Sequence, residues 1–126
     1  MLSSKRPSPI PSPQTVEFWK ASAEQKFMVP RCRACNRSHW YPRPFCPHCY
    51  SQDVALEKAS GRGKVYSFTV LTRDKSIVAY VKLDEGPIML TSIVDTDPEK
   101  IGIGSEVTVT FRPTEDGTLV PLFRGA

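Results

Sequence analysis

Four cysteines carry the strongest chemical signal in the chain. Cys32-x-x-Cys35 and Cys46-x-x-Cys49 are two pairs of equal spacing, with ten residues between them. Two intervening residues let a chain turn tightly enough for both sulfurs to reach one ion, and a second such knuckle completes a tetrahedron with metal–sulfur bonds near 2.3 Å. The expected ion is zinc. Iron would fit the same four sulfurs geometrically, but nothing in the chain points to electron transfer. With four sulfurs on one ion no coordination position is left for water or substrate, so the expected role is structural. A thioredoxin-type redox use would need a Cys-x-x-Cys at the start of a helix in a βαβ context, which the surrounding residues do not provide. Disulfides closed within each pair would span loops too small to stabilise much.

The residues around the thiols offer less. His48 lies inside the second knuckle and is expected to face solvent or to support the site from outside. His39 has no Ser, Cys or Asp motif to pair with as a general base, so packing beside Trp40 and Tyr41 is its expected role. Trp40, Tyr41 and Phe45 have too little core of their own, and are expected to pack over the metal site or against a neighbouring domain. Arg31, Arg33, Arg37 and Arg43 surround the thiols. They could offset the −2 charge of a zinc tetrathiolate, or they could meet an anionic partner.

Around this centre the chain divides into three segments. Residues 1–14 alternate Ser and Pro and are expected to form a flexible tail. Residues 15–60 hold a short helix, the cysteine module and a linker. The helix is expected over 15–27, with Trp19, Ala23 and Phe27 on one stripe beside Val16, a Lys20–Glu24 pair, and Ser12 or Thr15 as its cap. From Gly61 onward five strands are expected, at 65–71, 77–83, 88–94, 105–111 and 118–123, with turn residues between them. Val107, Val109 and Phe111 alternate onto one face. No crossover helix is evident, so the expectation is a small antiparallel barrel or sandwich.

The formal net charge of +4 divides into +2 over residues 1–14, +3 over 15–60 and −1 over 61–126. A zinc tetrathiolate would lower the middle value further, so the basic balance does not describe a phosphate-tracking barrel. No apolar run approaches the roughly 18–20 residues of a membrane span. The N-terminal residues have no apolar signal core. A cytoplasmic protein without membrane contact is the expectation, in keeping with metal-binding rather than disulfide-bonded cysteines.

The order of these parts resembles the DUF35 family, which joins a rubredoxin-like zinc ribbon to an OB-fold. The matching stretches are FW at 18–19, VPRCRAC at 29–35, YPRPFCPHC at 41–49, SGRGKVYSFTV at 60–70, VAYVKLDEG at 78–86 and IGIGSEVTVTF at 101–111. Asn36 stands where the family often has Gly after the second ribbon cysteine, and Asn tolerates a left-handed turn. The TRDKS stretch is also shorter than usual.

The resemblance implies a mainly β chain, with a short helix and zinc ribbon followed by a five-stranded OB-fold barrel. It further implies a small subunit that associates with a thiolase-superfamily enzyme acting on an acyl-CoA. The catalytic residues would lie on the partner, consistent with the lack of any nucleophile, base and oxyanion-hole motif in this chain. On that reading Arg31, Arg33, Arg37 and Arg43 would meet the phosphates of a CoA thioester shared with the partner. The competing expectation is a single-stranded nucleic-acid binder, since zinc ribbons and OB-folds both serve that purpose, with Tyr66, Phe68 and Tyr80 as candidate stacking residues.

Overall fold

The structure is a computed structural model that describes residues 10, 12–13 and 15–125. The expected tail of residues 1–14 therefore falls almost entirely outside the described residues.

Helix α1 spans Val16–Ala23 and is shorter than the 15–27 reading. It stops because Gln25 turns left-handed at φ 59° while the Lys26 N–H donates back to the Ala21 carbonyl. Its buried face also differs from the expected stripe. Phe18 and Ser22 are buried, whereas Val16 and Ala23 are exposed. The cause is a polar anchor that a hydrophobic pattern cannot show, since the Ser22 hydroxyl donates to the Leu119 carbonyl at 2.7 Å. Thr15 occupies the N-cap position without a side-chain cap bond. Lys20 reaches Glu17 at 3.8 Å rather than Glu24, and both groups lie in solvent.

The ribbon contains two strands that the sequence reading treated as a lead-in and a linker. Strand β1 (Met28–Cys32) pairs antiparallel with β2 (Val54–Lys58), from Met28 opposite Lys58 to Cys32 opposite Val54. Pro30 obscures β1, because proline removes a ladder donor and argues against a strand. The pairing closes the base of the ribbon and brings both knuckles to one end.

The barrel follows the expected strands closely: β3 (Arg62–Val70), β4 (Ile77–Leu83), β5 (Ile88–Val94), β6 (Glu106–Pro113) and β7 (Leu119–Gly125). They close in the order β3-β4-β5-β7-β6, the circuit of an OB-fold. The pairs are antiparallel except β5 with β7, which run parallel where the barrel shuts, at Ile93–Phe123 and Val94–Arg124. Strand period dictates the core: Ile77, Ala79, Val81 and Leu83 point inward from β4, and Met89 and Ile93 from β5. Their outward neighbours Tyr80, Ile88 and Leu90 stay exposed.

A bulge between Val65 and Ser67 bends β3 so that its first half pairs β6 and the whole strand pairs β4. Gly63 sits at the crowded start of this bend. A Cβ there would lie 2.6 Å from the Lys82 carbonyl oxygen.

Aromatic contacts join the three parts. Phe18 of α1 meets the Trp40 ring of the ribbon edge-on at 5.1 Å. Phe27 meets Phe123 of the barrel at 6.0 Å. One continuous apolar cluster thus runs from helix through ribbon to barrel.

Candidate functional site

The two knuckles are built alike, bond for bond. In the first, the Cys32 N–H donates to the Arg37 carbonyl and the Asn36 N–H to the Cys32 carbonyl. In the second, the Cys46 N–H donates to the Ser51 carbonyl and the Tyr50 N–H to the Cys46 carbonyl. The residue after each second cysteine is left-handed, Asn36 at φ 60° and Tyr50 at φ 64°. The expected turn at Asn36 is present. Its twin at Tyr50 was not anticipated, because tyrosine carries no left-handed preference, and only the internal symmetry of the motif signals it.

All four Sγ atoms lie within 4.8 Å of one another. Cys32 and Cys49 are 3.6 Å apart, and Cys35 and Cys46 are 3.7 Å apart. A tetrahedron with metal–sulfur bonds near 2.3 Å has an edge of about 3.8 Å, so the spacing fits a tetrathiolate ion. A backbone N–H from His48 points at the Cys46 sulfur at 3.3 Å, the kind of outer hydrogen bond that holds a thiolate in place.

The acid–base balance of the metal-free thiols agrees. Backbone N–H groups, that of Cys35 first, lower Cys32 to about 7. At Cys49 the N–H of Ser51 acts downward, but desolvation and the neighbouring thiols outweigh it and push the group up to about 12. Four thiolates cannot gather here without a cation, and a divalent ion supplies the missing charge. When bound, zinc would supply a structural cross-link at Cys32, Cys35, Cys46 and Cys49.

The sites singled out beyond the thiols separate. Arg31 turns to Glu57 at 3.9 Å, and Arg33 is exposed at the first knuckle. Arg37 and Arg43 instead reach a cleft of about 510 Å³ between the ribbon and the β4–β5 turn, together with His39, His48 and Glu85. His39 is buried, as its packing role required, yet neither ring nitrogen has a hydrogen-bond partner among the described residues. Burial lowers its pKa below the usual imidazole value, and the nearby Arg43 and His48 act in the same direction.

Glu85 was read only as a turn residue. One of its carboxylate oxygens accepts from the Ser60 N–H at 2.8 Å, and the other is buried without a partner. Of the ribbon aromatics, Trp40 packs inward, whereas Tyr41 and Phe45 stay substantially exposed.

A closed four-thiol centre on a ribbon, joined through a short helix to an OB-fold barrel, defines a two-module zinc-ribbon protein. The chain matches two family descriptions in tandem: ChsH2, rubredoxin-like zinc ribbon domain, over residues 19–55, and ChsH2, C-terminal OB-fold domain, over residues 56–112. It is 31% identical to a DUF35 domain-containing scaffold protein of Methanothermobacter thermautotrophicus, over 84% of this chain and 90% of that protein. The chain belongs to the DUF35 family.

It is also 32% identical to a probable enoyl-CoA hydratase alpha subunit of Thermomonospora curvata, over 96% of this chain but only 40% of the length of that subunit. Among solved structures, a chain of the Ltp2-ChsH2(DUF35) aldolase superposes with a TM-score of 0.83 at 30% identity, covering 94% of this chain and 98% of that one. A DUF35 structure from Sulfolobus solfataricus, at 13% identity and a TM-score of 0.68, shares the fold.

Among the described residues no helix is long and apolar enough to cross a membrane.

Proposed function

We propose that the chain is a non-catalytic or co-catalytic accessory subunit of an acyl-CoA enzyme. It stabilises a partner chain and helps complete that partner's acyl-CoA site. The partner is a thiolase-superfamily protein that makes or breaks a C–C bond on a CoA thioester, and it holds the catalytic residues. The observation that carries this reading is the nearly end-to-end match to a DUF35 chain of an aldolase whose name joins two components. A match to the 3-oxo-4,17-pregnadiene-20-carboxyl-CoA hydratase alpha subunit of Mycobacterium tuberculosis, 29% identical over 88% of this chain, adds a second acyl-CoA context, although the chain spans only 38% of that subunit. The thiols of this chain support the same division of labour. They converge on one point, which commits them to a metal and leaves none as a nucleophile.

The test is co-purification of the tagged chain from its source cells, followed by identification of the partner and assay of its acyl-CoA activity with and without this chain. The expected result is a stable hetero-oligomer with an acyl-CoA enzyme whose activity or stability falls when this chain is withdrawn. A monodisperse monomer that captures no such enzyme overturns the proposal. So does micromolar binding of single-stranded DNA that weakens steeply with salt, which would support nucleic-acid recognition instead.

A further inference from the structure

The cleft beside the ribbon is not closed at its inner end. Trp40 and Ile88 line both this cleft and a second depression of about 460 Å³, which is walled by Trp19, Tyr80, Leu90 and Pro121 among others. The two depressions therefore share a wall, and together they run from a cationic mouth to an apolar floor.

The cationic end has the marks of a site rather than of a solvated face. Neither Arg37 nor Arg43 has an ion-pair or side-chain hydrogen-bond partner among the described residues, and neither donates to a cysteine sulfur. Offsetting the tetrathiolate charge therefore does not account for their placement. His39 is 3% exposed with both ring nitrogens unpartnered, and it lines the same cleft as the orphaned carboxylate oxygen of Glu85. A buried polar group left without a partner costs about 1–3 kcal/mol, so two of them beside one opening point to something that fills it. A neutral imidazole offers one donor and one acceptor, and a carboxylate oxygen needs an N–H or O–H. The apolar end is as distinctive. Tyr80 and Leu90 face each other across the β4–β5 pair, and they remain 47% and 57% exposed.

We propose that cleft and groove form one binding track for an acyl-CoA thioester. Arg37 and Arg43 hold the phosphate esters of its nucleotide end, while His39 and Glu85 meet its N–H and O–H groups. Trp40 and Ile88 guide its less polar arm over Tyr80 and Leu90. This narrows the arginine set to two of four. It rests on the accessory-subunit reading for the identity of the ligand, since phosphate-ester recognition alone would also suit a free nucleotide.

The test titrates the full zinc-loaded chain, with no partner present, against a medium-chain acyl-CoA, CoA, ADP and inorganic phosphate, read by tryptophan fluorescence and calorimetry. Acyl-CoA is expected to bind most tightly and inorganic phosphate most weakly. Arg37→Ala with Arg43→Ala should weaken acyl-CoA and CoA by about tenfold or more, as loss of charge-assisted hydrogen bonds does. Leu90→Ser should weaken acyl-CoA by about fivefold and leave ADP unchanged. Both changes fall on exposed side chains, so the fold should persist, and circular dichroism checks this.

Absence of acyl-CoA binding at millimolar concentration, or indifference to the double arginine variant, overturns the track. ADP binding as tightly as acyl-CoA also overturns it, in favour of a free-nucleotide pocket. The two readings fail separately. A chain that captures an acyl-CoA enzyme yet binds no thioester sinks the track alone. A chain that binds the thioester but captures no such enzyme sinks the accessory reading alone.

Discussion

Removing the metal, by chelation or by Cys46→Ser, is expected to unfold the ribbon and leave the barrel standing. Between Cys32 and Ser51 the buried residues are only Cys32, His39, Pro42 and Cys46. Two of these four are metal ligands and one is an unpartnered imidazole. Such a stretch has little apolar burial to set against its backbone entropy of about 1–2 kcal/mol per residue. Structural zinc in small ribbons contributes on the order of 10–16 kcal/mol at neutral pH, which is as large as the whole stability of an ordinary domain, about 5–15 kcal/mol. The ribbon should therefore not outlast its ion. The barrel has an independent core in Val65, Ile77, Val81, Leu83, Val107 and Phe123, each at most 2% exposed. Hydrogen exchange resolved by segment, with zinc content measured alongside, separates the two outcomes. Protection should vanish across residues 28–58 and persist in β4 and β5. A Cys46→Ser protein that kept one zinc per chain and full ribbon protection would refute the structural assignment of the four thiols. Loss of protection everywhere would refute the independence of the barrel.

Three further outcomes follow from single contacts. Phe18→Ala removes a side chain wedged between Trp19 and Trp40, and should cost about 3–5 kcal/mol by chemical denaturation, with the Trp40 emission shifting toward that of exposed indole. Gly63→Ala should destabilise the chain by about 1–3 kcal/mol, because the new methyl meets the Lys82 carbonyl at 2.6 Å and backbone must move; an unchanged melting temperature would refute that crowding. His39 has its pKa lowered in the fold, chiefly by burial, so the unfolded chain binds its proton first as pH falls. Its contribution is complete above the unfolded value of about 6.5 and is lost as pH drops below that toward the folded value. Denaturation at pH 7.5 and 5.5 should show a smaller acid loss in His39→Asn than in the wild type.

The parts that sequence reading located share one property, that their signal is local. The knuckles announce themselves within four residues each, and the barrel strands through period-two alternation over six to nine residues. What it misplaced depends on partners distant in the chain. The α1 face was misjudged because Ser22 finds its acceptor at Leu119, 97 positions away, and no helical pattern in apolar residues records that. Strand β1 was missed because Pro30 contradicts a strand locally, whereas pairing with Leu56 tolerates it at the end of a two-stranded ribbon. The left-handed Tyr50 is set by closure of the second knuckle, against the preference of tyrosine itself.

The cleft belongs to this second kind. Arg37, His39 and Arg43 come from the loop between the knuckles, and Glu85 and Ile88 from a turn more than forty residues later. No spacing rule links them. They meet because Phe18 docks on Trp40 and so sets the ribbon against the barrel at one angle. The same contact makes the metal relevant to the cleft: the thiolate centre fixes the loop that carries both arginines, and the Cys32 N–H holds the Arg37 carbonyl directly. The four cysteines thus act on any ligand of the cleft at one remove. They set where two guanidiniums and an imidazole stand, with no chemistry of their own. Metal loss and the double arginine variant should for that reason weaken thioester binding alike, while only metal loss removes ribbon protection from hydrogen exchange.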